Sequence, residues 1–195
     1  LISAAEIEEC GGLEEKKSIG KEIRSWILTV LVPVAAVLLI NLFVCKIAVV
    51  SGSSMYPTLQ DRDLLLVWML GGEPEQGEIV VIDTAEDSVM HGDKLVKRVI
   101  AKAGQTVRID YETNTVYVDG EALREDYLNF EEADPMLAFF GEMEWTIPEG
   151  CLFVLGDNRN YSSDSRDPQI GLIALEDIVG VEILRIPTGK WFAKG

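Results

Sequence analysis

From Trp26 to Cys45 the chain runs WILTVLVPVAAVLLINLFVC, twenty residues without a charge. Wound as a helix at about 1.5 Å per residue, such a run is about 30 Å long, the thickness of a bilayer's hydrocarbon core. Pro33 frees a backbone carbonyl and Asn41 brings in an amide, and both are tolerated in a spanning helix. The expectation is a transmembrane anchor over residues 25–46, a cytoplasmic head over 1–24 and one extracytoplasmic domain over 47–195, in a protein that crosses the cell membrane once. Orientation follows the basic residues near the helix ends. Lys16, Lys17, Lys21 and Arg24 precede the run and Lys46 and Arg62 follow it, which places the amino end in the cytoplasm. A cleaved signal peptide would have a shorter apolar core with small residues before the cut. A lipoprotein cysteine would follow a small residue, whereas Val44 precedes Cys45.

Charge separates the domain from the anchor. Five of the 17 basic and six of the 33 acidic residues fall in the first fifty positions, leaving twelve against twenty-seven beyond them. A domain so acidic is repelled by phosphate backbones, and no basic stripe compensates, so nucleic acid is excluded as a partner. Contact with anionic lipid is left to apolar groups. The three cysteines, Cys10, Cys45 and Cys151, fall in unrelated settings and suggest neither a disulfide framework nor a metal cluster. His91 is the only histidine and reads as a loop residue, so a site needing two imidazoles is ruled out and no metal or other cofactor is expected.

The runs DLLLVWML, GEIVVI, DKLVKRVIAKAG, TVRIDYE, TVYVDG, WTIPEG, CLFVLGDN and DIVGVEILRI are short, rich in Val, Ile and Leu, and separated by turn formers. They predict a mainly β domain built on a coiled antiparallel sheet. Adjacent Trp68 and Met69 break the alternation of a half-buried strand. Either both faces of that strand are covered, or one meets lipid or an extended substrate. YLNFEEADPMLAFFGEME is an acidic, aromatic excursion between strands with room for one helical turn.

Three serines crowd SGSSMYPTL directly after the apolar run, in a setting where Ser, Gly and Pro also serve as turn residues. A serine nucleophile needs a base. His91 stands alone in a loop, and the other available base is a lysine whose pKa of about 10.4 is brought down by burial to about 7 or 8. Of Lys94, Lys97 and Lys102 in DKLVKRVIAKAG, Lys97 shares a strand face with Leu95 and Val99 and is the best buried candidate. The plain alternative is a strand lysine that snorkels to solvent. GDNRNYSSDSRDPQIG, at 156–171, would by itself be a loop held by Asx turns and ion pairs.

Taken in order behind a single anchor, SGSSMYPTL, KLVKRVIAKAG and GDNRNYSSDSR closely resemble the motifs of bacterial type I signal peptidases, in the compact form of Gram-positive bacteria. The match covers roughly residues 51–185 and rests on three separate motifs, which is far more specific than any one of them. The resemblance implies a membrane-bound serine endopeptidase of that family's β fold, which removes signal peptides from secretory preproteins with small residues one and three positions before the cut. It implies Ser54 as nucleophile and Lys97 as general base, with Ser162 hydrogen-bonding the lysine amine. Asp164 and Arg166 match supporting positions, and Asp157 and Arg98 are expected to serve similarly. Met55, Leu59, Leu95 and Val96 would line the substrate pockets, and the lipid bilayer would be the second partner. Two positions depart from the pattern. Gly52 stands where some relatives carry a serine that assists the oxyanion, with Ser51 and Ser53 nearby, and AlaGlyGln at 103–105 replaces a more usual ProGlyAsp. A self-cleaving SOS repressor protease shares the dyad logic but would be soluble with a DNA-binding head. A tethered binding module on the same scaffold would have lost Ser54 or Lys97.

Overall fold

The computed structural model describes residues 4–84, 94–128, 135–138 and 143–188, in two units that meet between Phe43 and Val44. The first is one helix, α1 (Ala4–Phe43), continuous through GlyGly at 11–12 and through Pro33. Its last twenty residues, Arg24–Phe43, are long and apolar enough to cross a membrane. Cys45 and Lys46, counted with the anchor from sequence, are instead the first two residues of a strand.

Eleven strands make up the described part of the second unit: β1 (Cys45–Val49), β2 (Leu64–Trp68), β3 (Ile79–Asp83), β4 (Lys94–Ala101), β5 (Thr106–Asp110), β6 (Thr115–Val118), β7 (Glu121–Ala122), β8 (Glu144–Thr146), β9 (Cys151–Leu155), β10 (Ile173–Ala174) and β11 (Ile178–Ile186). Seven form a sheet in the order β1-β2-β11-β3-β4-β9-β10 and four a second sheet, β7-β6-β5-β8, with every neighbouring pair antiparallel. The mainly β expectation therefore holds, and all eight strand segments read from the sequence are strands. β1 lay hidden in the tail of the apolar run, while β7 and β10 are only two residues long.

The middle of the large sheet, β3, β4 and β9, is covered on both faces, which is why those strands read as unbroken apolar runs. Ile79 and Val81 of β3 pack with Val50, Met55, Leu59, Leu65 and Val67, while Val80 and Ile82 pack with Val99, Leu152 and Val154. A third cluster joins Val107, Ile109, Val116 and Val118 of the small sheet to Ile100, Phe153 and Leu155. On β2, Leu65 and Val67 are fully buried and Trp68 is exposed, so the alternation is intact up to the strand's last residue. A tight turn leads into the acidic excursion, where Leu128 N donates to Glu125 O at 3.0 Å. Residues 129–134 and 139–142 of the excursion, like His91, lie outside the described residues.

AlaGlyGln at 103–105 makes a sound turn without the usual residues. The Gln105 side chain accepts from Lys102 N at 2.9 Å and donates to Asp119 at 3.0 Å, closing the loop between β4 and β5.

Candidate active site

Lys97 lies on β4 opposite Val80, where the strand is covered by apolar neighbours, and is only 2% exposed. Its amine donates to Ser54 Oγ at 2.9 Å. Loss of hydration on burial lowers its pKa from 10.5 to about 8; Asp164 opposes that shift, Arg166 reinforces it and Asp157 opposes it. About a tenth of the amine is therefore uncharged at pH 7 and half of it at about pH 8. An uncharged amine can accept the proton that the serine hydroxyl donates across the same 2.9 Å. The pair can thus activate an oxygen nucleophile near neutrality without imidazole.

Ser54 owes its position to the loop after β9 more than to its own neighbours. Asn158 N donates to Ser54 O at 2.9 Å, and Asn158 Nδ2 to Ser53 O at 3.0 Å. A Cβ on Gly156 would lie 2.5 Å from Ser54 O and 2.2 Å from Ser162 Oγ, so only glycine allows this approach. The loop is held from the other side by Asp164, which is fully buried. It accepts from Gly156 N at 3.0 Å and takes Arg166 in a two-pronged pair at 2.8 and 2.9 Å. Arg166 in turn donates to Arg159 O at 2.6 Å. Ser165 exchanges bonds with Val154 on β9, its hydroxyl accepting from Val154 N at 3.0 Å and its N donating to Val154 O at 3.1 Å.

A second fork joins the loop to β4. Arg98 donates to both oxygens of Asp157 at 2.9 and 2.6 Å and to Gly77 O at 2.8 Å, with its guanidinium 3.9 Å from the Tyr127 ring centre. Tyr127 donates to Glu125 at 2.8 Å, and Glu125 receives both arms of Arg159 at 3.2 and 2.5 Å. Burial first, and then the Glu125 carboxylate, push the Tyr127 phenol up, so it stays a donor. Glu125 and Arg159 are 5% and 6% exposed at their side chains, a buried pair that would be costly to break. No local pattern marks Glu125, because its partner lies 34 residues away. Asn158 reads from sequence as a turn former, yet it bonds across the fold to Ser53 and Ser54. A turn-forming side chain inside GDNR is ordinarily used locally, and here its partner is 105 residues away.

Of the expected residues, Ser54, Lys97, Asp157, Arg98, Asp164 and Arg166 come together as described. Ser162 is present but not bonded as expected. Its Oγ is buried and finds no hydrogen-bond partner among the described residues, so the bond to the lysine amine is not made in this structure. Met55, Leu95 and Val96 line a cavity of about 290 Å³ that also contains Ser51, Ser54 and Lys97. Leu59 does not. It is 1% exposed, its side chain packs in the same core cluster as Met55, and it lines a separate hollow with Gly52, Tyr56 and Asp61. Gly52 has φ of +86° and donates to Asp61 at 3.0 Å; that left-handed backbone disfavours a serine, so the departure there follows from the turn. Ser51, and not Ser53, lines the cavity.

Residues 23–187 match the family model for signal peptidase, peptidase S26. The chain belongs to the peptidase S26 family. It is 36% identical over 179 residues to signal peptidase I of Bacillus licheniformis, across 86% of this chain and 91% of that protein. Signal peptidase I T of Bacillus subtilis is 40% identical over 164 residues, 80% of each chain. Signal peptidase IB of Staphylococcus aureus is 33% identical over 175 residues, 82% of this chain and 87% of that one. Among solved structures, a signal peptidase I from Enterococcus faecalis is 29% identical, covers 56% of this chain and 97% of its own, and superposes with a TM-score of 0.44. Membership makes this S26 protein a serine-family peptidase, with signal-peptide removal as its activity.

Proposed function

We propose that Ser54 and Lys97 carry out signal-peptide removal as a nucleophile and base pair. The contact that supports this is the 2.9 Å approach of a buried lysine amine to a serine hydroxyl. Neutral Lys97 takes the Ser54 proton as Oγ bonds to the scissile carbonyl carbon, and the resulting oxyanion faces the Ser54 backbone N–H, with the Ser51 hydroxyl in reach of the same cavity. Lys97 passes the proton to the departing amine, the peptide bond breaks, and an ester to Ser54 remains. Water, deprotonated by Lys97, then attacks the ester and restores the serine. Rotation of the unpartnered Ser162 hydroxyl toward the amine would orient a base that otherwise swings on four methylenes.

Met55, Leu95 and Val96 leave room for small side chains one and three residues before the cut. Residues 94–97 of β4 extend beyond their pairing with β9, which starts at Arg98, so an extended preprotein can add there as a strand. Lipid is the second partner. Helix α1 crosses the bilayer with its amino end in the cytoplasm, and β1 and β11 expose Ile47 with Leu184 and Val49 with Ile186 in two cross-strand rows flanking β2.

The test is incubation of the purified full chain with a preprotein ending in Ala-x-Ala before its mature part, followed by mass measurement of the products. One cut after the second alanine, with Ser54 trapped as the ester at low pH, is expected. Cleavage that persists in Lys97→Ala overturns the assignment of the base.

A further inference from the structure

The cavity beside Ser54 is lined by Lys46, Lys94 and Lys97, and no carboxylate lines it among the described residues. That is the reverse of the domain around it, which beyond residue 50 carries twelve basic against twenty-seven acidic residues. Lys97 belongs to the chemistry; Lys46 and Lys94 do not. Their positions follow from strand alternation. On β1, Ile47 and Val49 point out and are exposed, while Ala48 and Val50 pack into the core beneath the cavity, so Lys46 points inward with them. On β4, Lys94 shares the face of Val96, which packs into that same core. Lys46 is half-buried and makes no ion pair among the described residues. Lys94 has a loose, exposed contact with Asp83 at 3.7 Å. The two amines therefore stand at one end of the groove, with Ser54 and Lys97 at the other.

Resting on the reading of Ser54 as nucleophile, we propose that Lys46 and Lys94 form a cationic subsite that reads the charge of the preprotein four and five residues before the cut. Lys94 is three residues from Lys97 along β4, and Lys46 four from Val50, which at about 3.3 Å per residue is roughly 10–13 Å. An extended substrate with its scissile carbonyl at Ser54 brings its fourth and fifth residues to that distance. An acidic side chain there meets two amines in a partly dehydrated groove, and a basic one meets repulsion. The subsite favours Asp or Glu and disfavours Lys or Arg at those two positions.

The experiment uses the full chain in a zwitterionic detergent, which removes lipid charge, and quenched peptides identical but for Asp-Asp, Asn-Asn or Lys-Lys at the fourth and fifth positions before an Ala-x-Ala cut. At low salt the expected ranking in kcat/KM is Asp, Asn, Lys, with about tenfold between the ends. The spread should narrow in high salt. In Lys46→Glu/Lys94→Glu the ranking should invert, and because the ratio is taken within one enzyme, any general loss of activity cancels. Equal rates for the three peptides in the unaltered protein, or an unchanged ranking in the double variant, overturn the subsite while leaving the dyad standing. If the double variant does not fold, the salt-sensitive ranking in the unaltered protein decides alone. No cleavage of any peptide by the unaltered protein would instead overturn the reading on which the subsite rests.

Discussion

Lys97 and Lys102 are five residues apart on the same length of chain and have opposite chemistry. Lys97, inside β4, is nearly dry, faces a hydroxyl, and has its pKa lowered by burial to about 8. Lys102, one residue past the strand, donates to Glu75 at 2.8 Å, and that bond raises its pKa. Residue type is identical; access to water and the partner's charge are not. A lysine becomes a base where the fold withholds both solvent and a carboxylate at contact distance, and Asp164 acts on Lys97 only from beyond hydrogen-bonding contact, where it moderates the shift without cancelling it.

The contrast is broken most severely by removing the dyad. Ser54→Ala, Lys97→Ala and Lys97→Arg should each lower kcat/KM by about four orders of magnitude, measured on an Ala-x-Ala preprotein, and Lys97→Arg belongs with the others because guanidinium keeps its proton. Asp164→Asn comes next. It strands a buried Arg166 and should cost about 3–5 kcal/mol of stability, read as a large fall in the denaturation midpoint.

Lys97→Met sharpens the comparison from the stability side. The folded pKa of about 8 lies below the 10.5 of the free side chain, so near pH 7 the unfolded chain holds this proton more readily and the charged amine weakens the fold. The inactive Met variant should therefore be more stable by about 1–3 kcal/mol at pH 7, and its advantage should shrink as pH rises from about 8 toward 10.5. Cleavage by the unaltered protein should rise about tenfold per pH unit below pH 8 and level off above it, as a pre-steady-state pH series would show. Last, Lys102→Gln removes only an exposed pair and should leave kcat/KM within about twofold.

The strands were legible because each is short, apolar and bounded by turn formers, and Lys97 as a buried strand lysine because apolar residues flank it on its own face, whereas Ser54 was set apart from its neighbouring serines only by the resemblance of its motif. Other features were not, for physical reasons. β1 begins in the same uncharged stretch that makes the anchor, and composition does not mark where a helix hands over to a strand. Leu59 and Met55 look alike as residues, yet one lines a separate hollow and the other the cavity beside Ser54, a difference set by where the chain turns between them. Glu125, Tyr127 and Asn158 act through partners far along the chain, beyond any spacing rule. Ser162 is where the motif suggests, but the proximity implied by a motif does not fix a hydroxyl's rotamer.

The hold of Asn158 on the carbonyls of Ser53 and Ser54 joins segments 105 residues apart. Ser54 is therefore fixed in place only once the last third of the chain has folded back over it. The 2.9 Å contact between Lys97 and Ser54 is thus a product of the completed tertiary structure and of no single local segment.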